Sequence, residues 1–290
     1  MGEAIRNYYF DFVEERVVCD EEGIDEDKTE DASSCRTVFT SCSDFGLEVS
    51  TKIPPWELTS VSNIRKQAFE SRETLVGFCQ DFHAHYMLDI YYIHAPKCWK
   101  NWHARCNDAH KKHFISLRES WLAMEAVVGI DNNAKRIGLS NVSPDELRDI
   151  ISFVKERQSG VPDSSLPPPR MPDALQAFAD PLHSAKELRQ ICKENGIEFV
   201  SYSTLGTQHV MANGGMNPVL NNGDIISIAN KHSRSAAEVV LSWATQRDMS
   251  VIPRSSNHQH IRELSNMLSP EYASFLTDED LILIDQLAYN

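Results

Sequence analysis

The strongest constraint on the fold is a regular alternation of short apolar runs and longer amphipathic stretches beyond residue 47. The apolar runs are rich in Val, Ile, Leu, Tyr and Phe, which is typical of buried parallel strands. They lie at residues 48–52, 88–94, 136–141, 174–178, 198–203 and 250–255. Strand and helix repeated in this way predict parallel pairing through right-handed crossovers.

The stretches between the runs carry sequence signals of helix starts. Ser143 is followed by Pro144 and, three residues later, by Glu146, which predicts a capping box with proline in the first turn. The same spacing recurs after Ser184, Ser235 and Thr277. Such caps satisfy backbone amides that the first helical turn leaves without partners. We therefore expect helices to begin at these positions.

A closed barrel and a doubly wound sheet both fit this alternation. No Gly-x-Gly-x-x-Gly turn and no Gly-Lys-Ser/Thr loop follows a predicted strand, which weakens the doubly wound nucleotide-binding folds. The sequence favours an α/β fold of the TIM-type (β/α)8 class, although the strand–helix periodicity by itself fits both the barrel and the doubly wound sheet. Its first two βα units should be incomplete or irregular, because residues 1–47 hold two full units with difficulty.

The charge balance and composition exclude several function classes. The formal net charge is −14 at pH 7, whereas a protein that binds nucleic-acid phosphates needs a basic surface. No apolar run approaches the roughly 20 residues that cross a bilayer, and no secretory signal begins the chain. Seven scattered cysteines suit free thiols in a reducing compartment. We expect a cytoplasmic protein with neither nucleic-acid nor membrane partners.

The N-terminal segment differs from the rest of the chain. Residues 14–31 contain ten acids against Arg16 and Lys28. A block so acidic and so poor in aromatic residues usually stays solvated or disordered. We predict two parts, a divergent, acidic and partly disordered segment at 1–47 and the barrel at 48–290. An acidic arm that recruits a partner is the alternative interpretation of the segment.

Seven short motifs lie at the predicted strand ends and helices, in order along the chain. They are residues 49–52, 88–96, 120–125, 137–143, Gln176, 202–206 and 252–257. Together they resemble the aldo-keto reductase family over roughly the last 240 residues. The resemblance implies a barrel that uses a nicotinamide cofactor to reduce a carbonyl compound, with a small-molecule aldehyde or ketone as the substrate. We expect the protein to be a monomer or weak oligomer.

The resemblance implies that Lys52 and His94 are catalytic. Hydride transfer to a carbonyl carbon develops negative charge on the oxygen, which a nearby acid must protonate or stabilise. The histidine can donate a hydrogen bond there, and the lysine can supply positive charge that depresses the pKa of a phenolic acid. Taken singly, a buried core histidine and a solvated lysine are the alternatives.

Matched positions also imply a nicotinamide site. Ser140, Asn141 and Gln176 correspond to the residues that hold the carboxamide, and Tyr202 to the tyrosine that stacks on the ring. Strand-end caps and a merely packed tyrosine are the alternatives. Ser203 and Leu205 belong to the same run as Tyr202 and are assigned to the cofactor.

The adenosine end is implied by residues that follow the last strand. They are Arg254, Ser255, Asn257, His260 and Glu263. Arg254 and Ser255 could pair with a 2′-phosphate, since a planar guanidinium matches it well. The family commonly has a second arginine where His260 stands, and histidine generally carries little charge near pH 7. NADP(H) is therefore expected, with NAD(H) as the alternative.

The loop after the histidine strand corresponds to the family's substrate loop. Trp99 and Trp102 are expected to line a pocket for an apolar or aromatic carbonyl compound. The cysteines and histidines of this loop fit no standard zinc spacing, so we expect no metal.

The family's proton donor is the feature that does not match. In the family an aspartate and, five residues later, a tyrosine general acid precede the lysine. Asp11 is the candidate aspartate, but Arg16 stands five residues beyond it. A truncated or mis-annotated first segment and a diverged non-catalytic member would each explain this. Two hypotheses follow, an NADPH-dependent carbonyl reductase and a non-catalytic, nicotinamide-binding or regulatory barrel.

Overall fold

The computed structural model describes residues 17–19, 35–37, 48–76, 86–99, 103–107, 113–212, 214–267, 269 and 274–288. Its strands are β1 Val17–Cys19, β2 Cys35–Thr37, β3 Ser50–Ile53, β4 Leu88–Ile93, β5 Ala134–Ser140, β6 Ala174–Phe178, β7 Glu198–Tyr202 and β8 Met249–Val251. A 3-10 turn spans Pro55–Glu57. The helices are α1 Val61–Val76, α2 Ala104–Asn107, α3 Leu117–Gly129, α4 Pro144–Ser159, α5 Lys186–Asn195, α6 Thr207–Ala212, α7 Gly223–His232, α8 Ala236–Gln246, α9 His258–Asn266 and α10 Asp278–Asp285.

Strands β3 to β8 form one sheet in which each strand pairs with its neighbour in sequence. All five pairings are parallel, which confirms the predicted strand–helix repeat. Strands β1 and β2 form a separate antiparallel pair. Among the described strands, β3 and β8 are the two edges of the sheet, so the barrel is not closed.

The helix caps explain where most of the helices begin. Ser143, Ser235 and Thr277 each accept the predicted bond in a complete capping box. The prediction for Ser184 is wrong. Helix α5 begins after Ala185, whose left-handed backbone (φ 47°) shifts the start by one residue. Glu187 therefore no longer faces the serine and pairs with Arg148 at 2.7 Å instead.

Four predicted strands, β4, β5, β7 and β8, end earlier than the apolar runs suggested, and the backbone explains two of these ends. Strand β7 stops at Tyr202 because Ser203 adopts a left-handed backbone (φ 54°) that leaves the pleated ladder. Strand β8 stops at Val251 rather than at residue 255. Pro253 has no backbone N–H to donate to a ladder, which favours an early end. The loops after β7 and β8 therefore begin earlier in the sequence than predicted.

The sheet is packed on two sides. Its outer face contacts the helices, where Trp121 and Trp243 are fully buried. The indole N–H groups of these residues donate to the Arg170 carbonyl (3.0 Å) and the Asp285 carboxylate (2.8 Å). A second, smaller hydrophobic cluster is formed by strand residues alone and comprises Ile90, Tyr92, Ala174 and Val200.

Gly138 fixes the approach of two strands within the second cluster. A Cβ added to Gly138 would lie 2.5 Å from the Tyr92 ring and 2.6 Å from the Ala174 carbonyl oxygen. Tyr92 therefore packs directly over the glycine backbone, and β4, β5 and β6 come together there. No helix of the described residues has the length and apolar character that crossing a bilayer requires.

Candidate active site

The predicted nicotinamide and catalytic residues lie at or near the carboxyl ends of consecutive strands. They are Lys52 on β3, His94 after β4, Ser140 and Asn141 at the end of β5, Gln176 on β6 and Tyr202 at the end of β7. In parallel α/β barrels this edge of the sheet holds the functional site. The roles that the resemblance implies for these residues stay predictions, whereas their position at one edge is observed.

Asn141 links three of these strands through its side-chain amide. Its Oδ1 accepts a hydrogen bond from the Tyr202 phenol (2.6 Å), and its Nδ2 donates to the carbonyl oxygen of His94 (2.9 Å) and to Ser140 Oγ (3.0 Å). The backbone of Asn141 is left-handed (φ 57°), a conformation that asparagine tolerates better than most residues. The amide therefore holds the orientation of the Tyr202 ring.

Lys52 and Gln176 form a second link across the sheet. The Lys52 ammonium donates to Gln176 Oε1, although the two residues lie on strands separated by β4 and β5. Gln176 is buried and Lys52 is half-buried. Their side chains therefore reach toward each other on the interior of the open barrel.

Burial sets the protonation of the two candidate catalytic groups. It lowers the pKa of Lys52 to about 8, so the ammonium form still dominates at pH 7. Burial, together with the positive charge of Lys52, lowers the pKa of His94 to about 4. His94 is therefore neutral at pH 7 and can donate a hydrogen bond from one ring nitrogen. Burial raises the pKa of the Tyr202 phenol.

A buried acid–histidine pair lies near Phe178, at the end of β6, and was missed in the sequence. Asp180 Oδ2 is 2.9 Å from His209 Nε2, and the Asp180 side chain is fully buried. Phe178 stacks on His183 with ring centroids 4.9 Å apart, and its ring lies 5.7 Å from His209 and 6.1 Å from Tyr202. Burial raises the pKa of Asp180, and the nearby His209 opposes that rise. The one sign of this pair in the sequence was the acid, Asp180, that closely follows β6.

The predicted adenosine residues form one group after β8. Arg254, Ser255 and Asn257 lie on the loop, and His260 and Glu263 follow on α9. The Asn257 side chain caps α9 by accepting from the amide of Gln259 (2.9 Å). Glu263 accepts from the Gln259 side chain (3.1 Å). Arg254 is exposed to solvent.

The start of the loop after β7 carries the other two predicted cofactor residues. The Leu205 carbonyl accepts a hydrogen bond from the Asn217 side chain (2.8 Å), which ties this loop to the segment before α7. Ser203 occupies the left-handed position that ends β7. The assignment of both residues to the cofactor stays a prediction.

The loop after β4 carries the candidate substrate residues. Trp99 lies on it and is 39% exposed, whereas Trp102 lies outside the described residues, as does Asp11. Cys98 and Cys106 form a disulfide, so the expectation of free thiols is wrong for this pair. Spacing alone did not reveal it, because the loop's fold brings the two sulfurs together.

The first comparison with known proteins concerns sequence families. A model described as Aldo/keto reductase family matches residues 46–288. Aldose reductase B of Dictyostelium discoideum is 30% identical over 212 residues, which cover 70% of this chain and 60% of that relative. The 9,11-endoperoxide prostaglandin H2 reductase of Trypanosoma cruzi is 28% identical over 239 residues, covering 82% and 67%. This chain thus spans less than two thirds of the Dictyostelium relative.

The second comparison concerns solved structures. A Bombyx mori aldo-keto reductase in complex with NADP superposes with a TM-score of 0.63 at 21% identity, covering 83% of this chain and 68% of that one. Another aldo-keto reductase, complexed with NADPH, gives a TM-score of 0.63 at 18% identity and covers 86% and 65%. At these identities the likeness shows the fold alone. It confirms the predicted TIM-type barrel in an incomplete form.

Proposed function

This chain belongs to the aldo/keto reductase family, and we propose that it reduces an aldehyde or ketone to an alcohol with hydride from NADPH. The observation that carries the proposal is the pair of Lys52 and His94 at one sheet edge. The first is protonated and the second is neutral at pH 7. A cation and a neutral hydrogen-bond donor suit an oxygen that gains negative charge.

Each of the two residues has a distinct task in this proposal. Neutral His94 donates a ring N–H to the carbonyl oxygen and stays neutral throughout. The Lys52 ammonium stabilises the developing charge from a position fixed by Gln176. The reaction also consumes one proton, which in the family comes from a tyrosine. The candidate Asp11, which would accompany that tyrosine, lies outside the described residues, so we assign no donor here.

The described residues fit a nicotinamide dinucleotide, which would supply the hydride. Asn141 holds Tyr202 in one orientation (2.6 Å), as a ring that stacks on nicotinamide requires. Gln176 accepts from Lys52 through Oε1, and its Nε2 remains the donor for a carboxamide oxygen. Ser140 is buried beside Asn141. Together these residues provide the hydroxyl and amide groups of a carboxamide clamp.

The preference for NADP(H) over NAD(H) rests on the group after β8. Arg254 presents an exposed guanidinium beside Ser255, and such a group suits a 2′-phosphate. We propose a small carbonyl compound with an apolar or aromatic body as substrate, because Trp99 is partly exposed on the loop four residues past Ala95. A cytoplasmic location, a monomer or weak oligomer, and the division at residue 47 stay predictions from the sequence.

The test is NADPH oxidation by the purified full chain with a panel of aldehydes and ketones. His94→Gln should lower kcat/KM by about 10²–10³, the typical effect of removing one donor to an oxyanion. His113→Gln, at an exposed histidine, is the matched control and should leave it unchanged. Tight NADPH binding without turnover would contradict the reductase proposal and favour a non-catalytic nicotinamide-binding barrel. Equal or tighter binding of NADH would contradict the cofactor preference.

A further inference from the structure

A covalent cross-link lies close to the candidate active site. Cys98 and Cys106 are joined by a disulfide, with their Cα atoms 5.2 Å apart. Cys98 stands four residues after His94, and Cys106 belongs to α2. The bond therefore ties the segment that leaves His94 to the helix that follows it. Trp99, the candidate substrate residue, lies inside the closed ring of residues.

Helix α2 and the residue before it pack against the turn that follows the lysine strand. The rings of His103 and Trp56 stack with centroids 4.4 Å apart and planes 20° apart. Arg105 Nη1 lies 3.5 Å from Glu57 Oε1. Trp56 and Glu57 belong to the 3-10 turn Pro55–Glu57, which begins soon after Lys52. The disulfide thus fastens to the start of the β4 loop a helix that itself packs against the turn after the lysine strand.

Two noncovalent contacts between α2 or the residue before it and the turn are described, an ion pair and a ring stack. The Arg105–Glu57 pair is largely exposed on its arginine side (64%), and exposed ion pairs contribute little. The Trp56–His103 stack is then the main described contact between α2 and the turn. The disulfide adds a covalent link between the start of this loop and α2, so breaking it should loosen the segment between Cys98 and Cys106.

We propose that Cys98 and Cys106 are a reversible redox modification site that controls carbonyl binding. The effect on carbonyl binding rests on the proposed function. The oxidant is a hydroperoxide and the reductant is a dithiol. In the cytoplasm, the location that the sequence predicts, disulfides are commonly redox-sensing, and there such a bond suits control of an enzyme better than permanent reinforcement.

The chemistry balances for both directions. In oxidation the Cys98 thiolate attacks the terminal oxygen of the hydroperoxide, and the O–O bond breaks to give a sulfenic acid and an alkoxide (hydroxide when the oxidant is hydrogen peroxide). The Cys106 thiol then displaces water from the sulfenic acid as the S–S bond forms. In reduction a thiolate of the dithiol attacks Cys98 Sγ and releases the Cys106 thiolate. The second thiol of the reductant then closes its own disulfide and frees the Cys98 thiol. Cys98 is the attacked sulfur because Cys106 is only 7% exposed.

The first experiment needs no enzyme activity. The full chain is treated with hydrogen peroxide or dithiothreitol, and free thiols are counted by maleimide mass tagging. Reduction should add two tags, one each on Cys98 and Cys106. It should also speed tryptic cleavage after Lys97 and Arg105 about tenfold, because a loosened segment opens more often. An unbridged pair after peroxide treatment, or equal cleavage in both states, would overturn the proposal.

The second experiment measures carbonyl reduction and cofactor binding in both states. Reduction should raise KM for the carbonyl compound about fivefold, equivalent to about 1 kcal/mol, and change the NADPH Kd less than about twofold. Cys98→Ser and Cys106→Ser should behave like the reduced protein in either treatment. Cys192→Ala, at the buried free cysteine, should respond like the wild type.

The two proposals fail in distinguishable ways. No turnover in either state would contradict the reductase proposal, and the cleavage experiment would still decide the redox site. Turnover with a KM that is the same in both states would instead contradict redox control and leave the reductase proposal intact.

Discussion

Replacing Lys52 by methionine should change the pH dependence of folding in a way that can be calculated. Burial lowers the pKa of Lys52 from its ordinary 10.5 to about 8 in the folded protein. A pKa difference of about 2.5 corresponds to about 3 kcal/mol that the folded state loses when the amine is charged. This penalty is fully present below about pH 8 and is removed as the pH rises toward 10.5, because the unfolded chain then binds the extra proton.

The free-energy difference between the variant and the wild type isolates this effect. Between pH 7 and pH 9.5 the penalty on the wild type should fall from about 3 to about 1 kcal/mol. The stability of Lys52→Met relative to wild type should therefore drop by about 2 kcal/mol over that range. Losing the donor to Gln176 Oε1 also costs stability, but that cost is the same at every pH and cancels. His94 does not contribute because its pKa is about 4.

Urea unfolding at several pH values measures the difference directly. Lys66→Met is the matched control, because Lys66 lies on α1 with its side chain 67% exposed and its ammonium stays in water. Its difference from wild type should stay level between pH 7 and pH 9.5. If the free energy of unfolding of Lys52→Met relative to wild type stays level or rises between pH 7 and pH 9.5, Lys52 is not desolvated and the reasoning fails.

Three further predictions follow from other parts of the structure. Arg157→Ala should lower the free energy of unfolding by about 3–5 kcal/mol in urea titrations, because it leaves the buried carboxylate of Glu125 without its cation. Arg157→Lys keeps a positive charge and should therefore lose less of the free energy of unfolding. Gly138→Ala should lower the free energy of unfolding by at least about 1–3 kcal/mol in thermal unfolding, because the added methyl group overlaps the Tyr92 ring. Arg254→Ala should weaken NADPH binding about tenfold by fluorescence titration and leave NADH binding unchanged, and equal losses for both cofactors would contradict a 2′-phosphate contact.

The sequence predicted the residues at the strand ends well, for a physical reason. The alternation of apolar runs and capping boxes is local information, and the ends of parallel strands meet at one edge of the sheet. The periodicity put Lys52, His94, Asn141 and Tyr202 at or near strand ends, and the resemblance to the aldo-keto reductase family singled them out among the residues there. Periodicity could not show that Lys52 bonds to Gln176, because that contact joins strands far apart in the chain.

The features that the sequence did not predict depend on backbone geometry or on distant contacts. Asp180, which follows β6, lies 2.9 Å from His209 on α6, which follows β7, so the contact depends on how two separate segments pack. Cys98 and Cys106 meet because α2 turns back toward the start of its loop. The left-handed backbone of Ala185 moves a helix start by one residue. None of these distances is encoded in residue spacing.

The order of strands in the sheet bears on how this protein folds during synthesis. Each strand from β3 to β8 pairs with its neighbour in sequence, so each βα unit can dock on the preceding one as it leaves the ribosome. Lys52 and His94 emerge before the group around Arg254 does. A nascent chain therefore assembles its candidate catalytic residues before it can bind a whole dinucleotide, and cofactor can stabilise the fold only after the segment around Arg254 has been made.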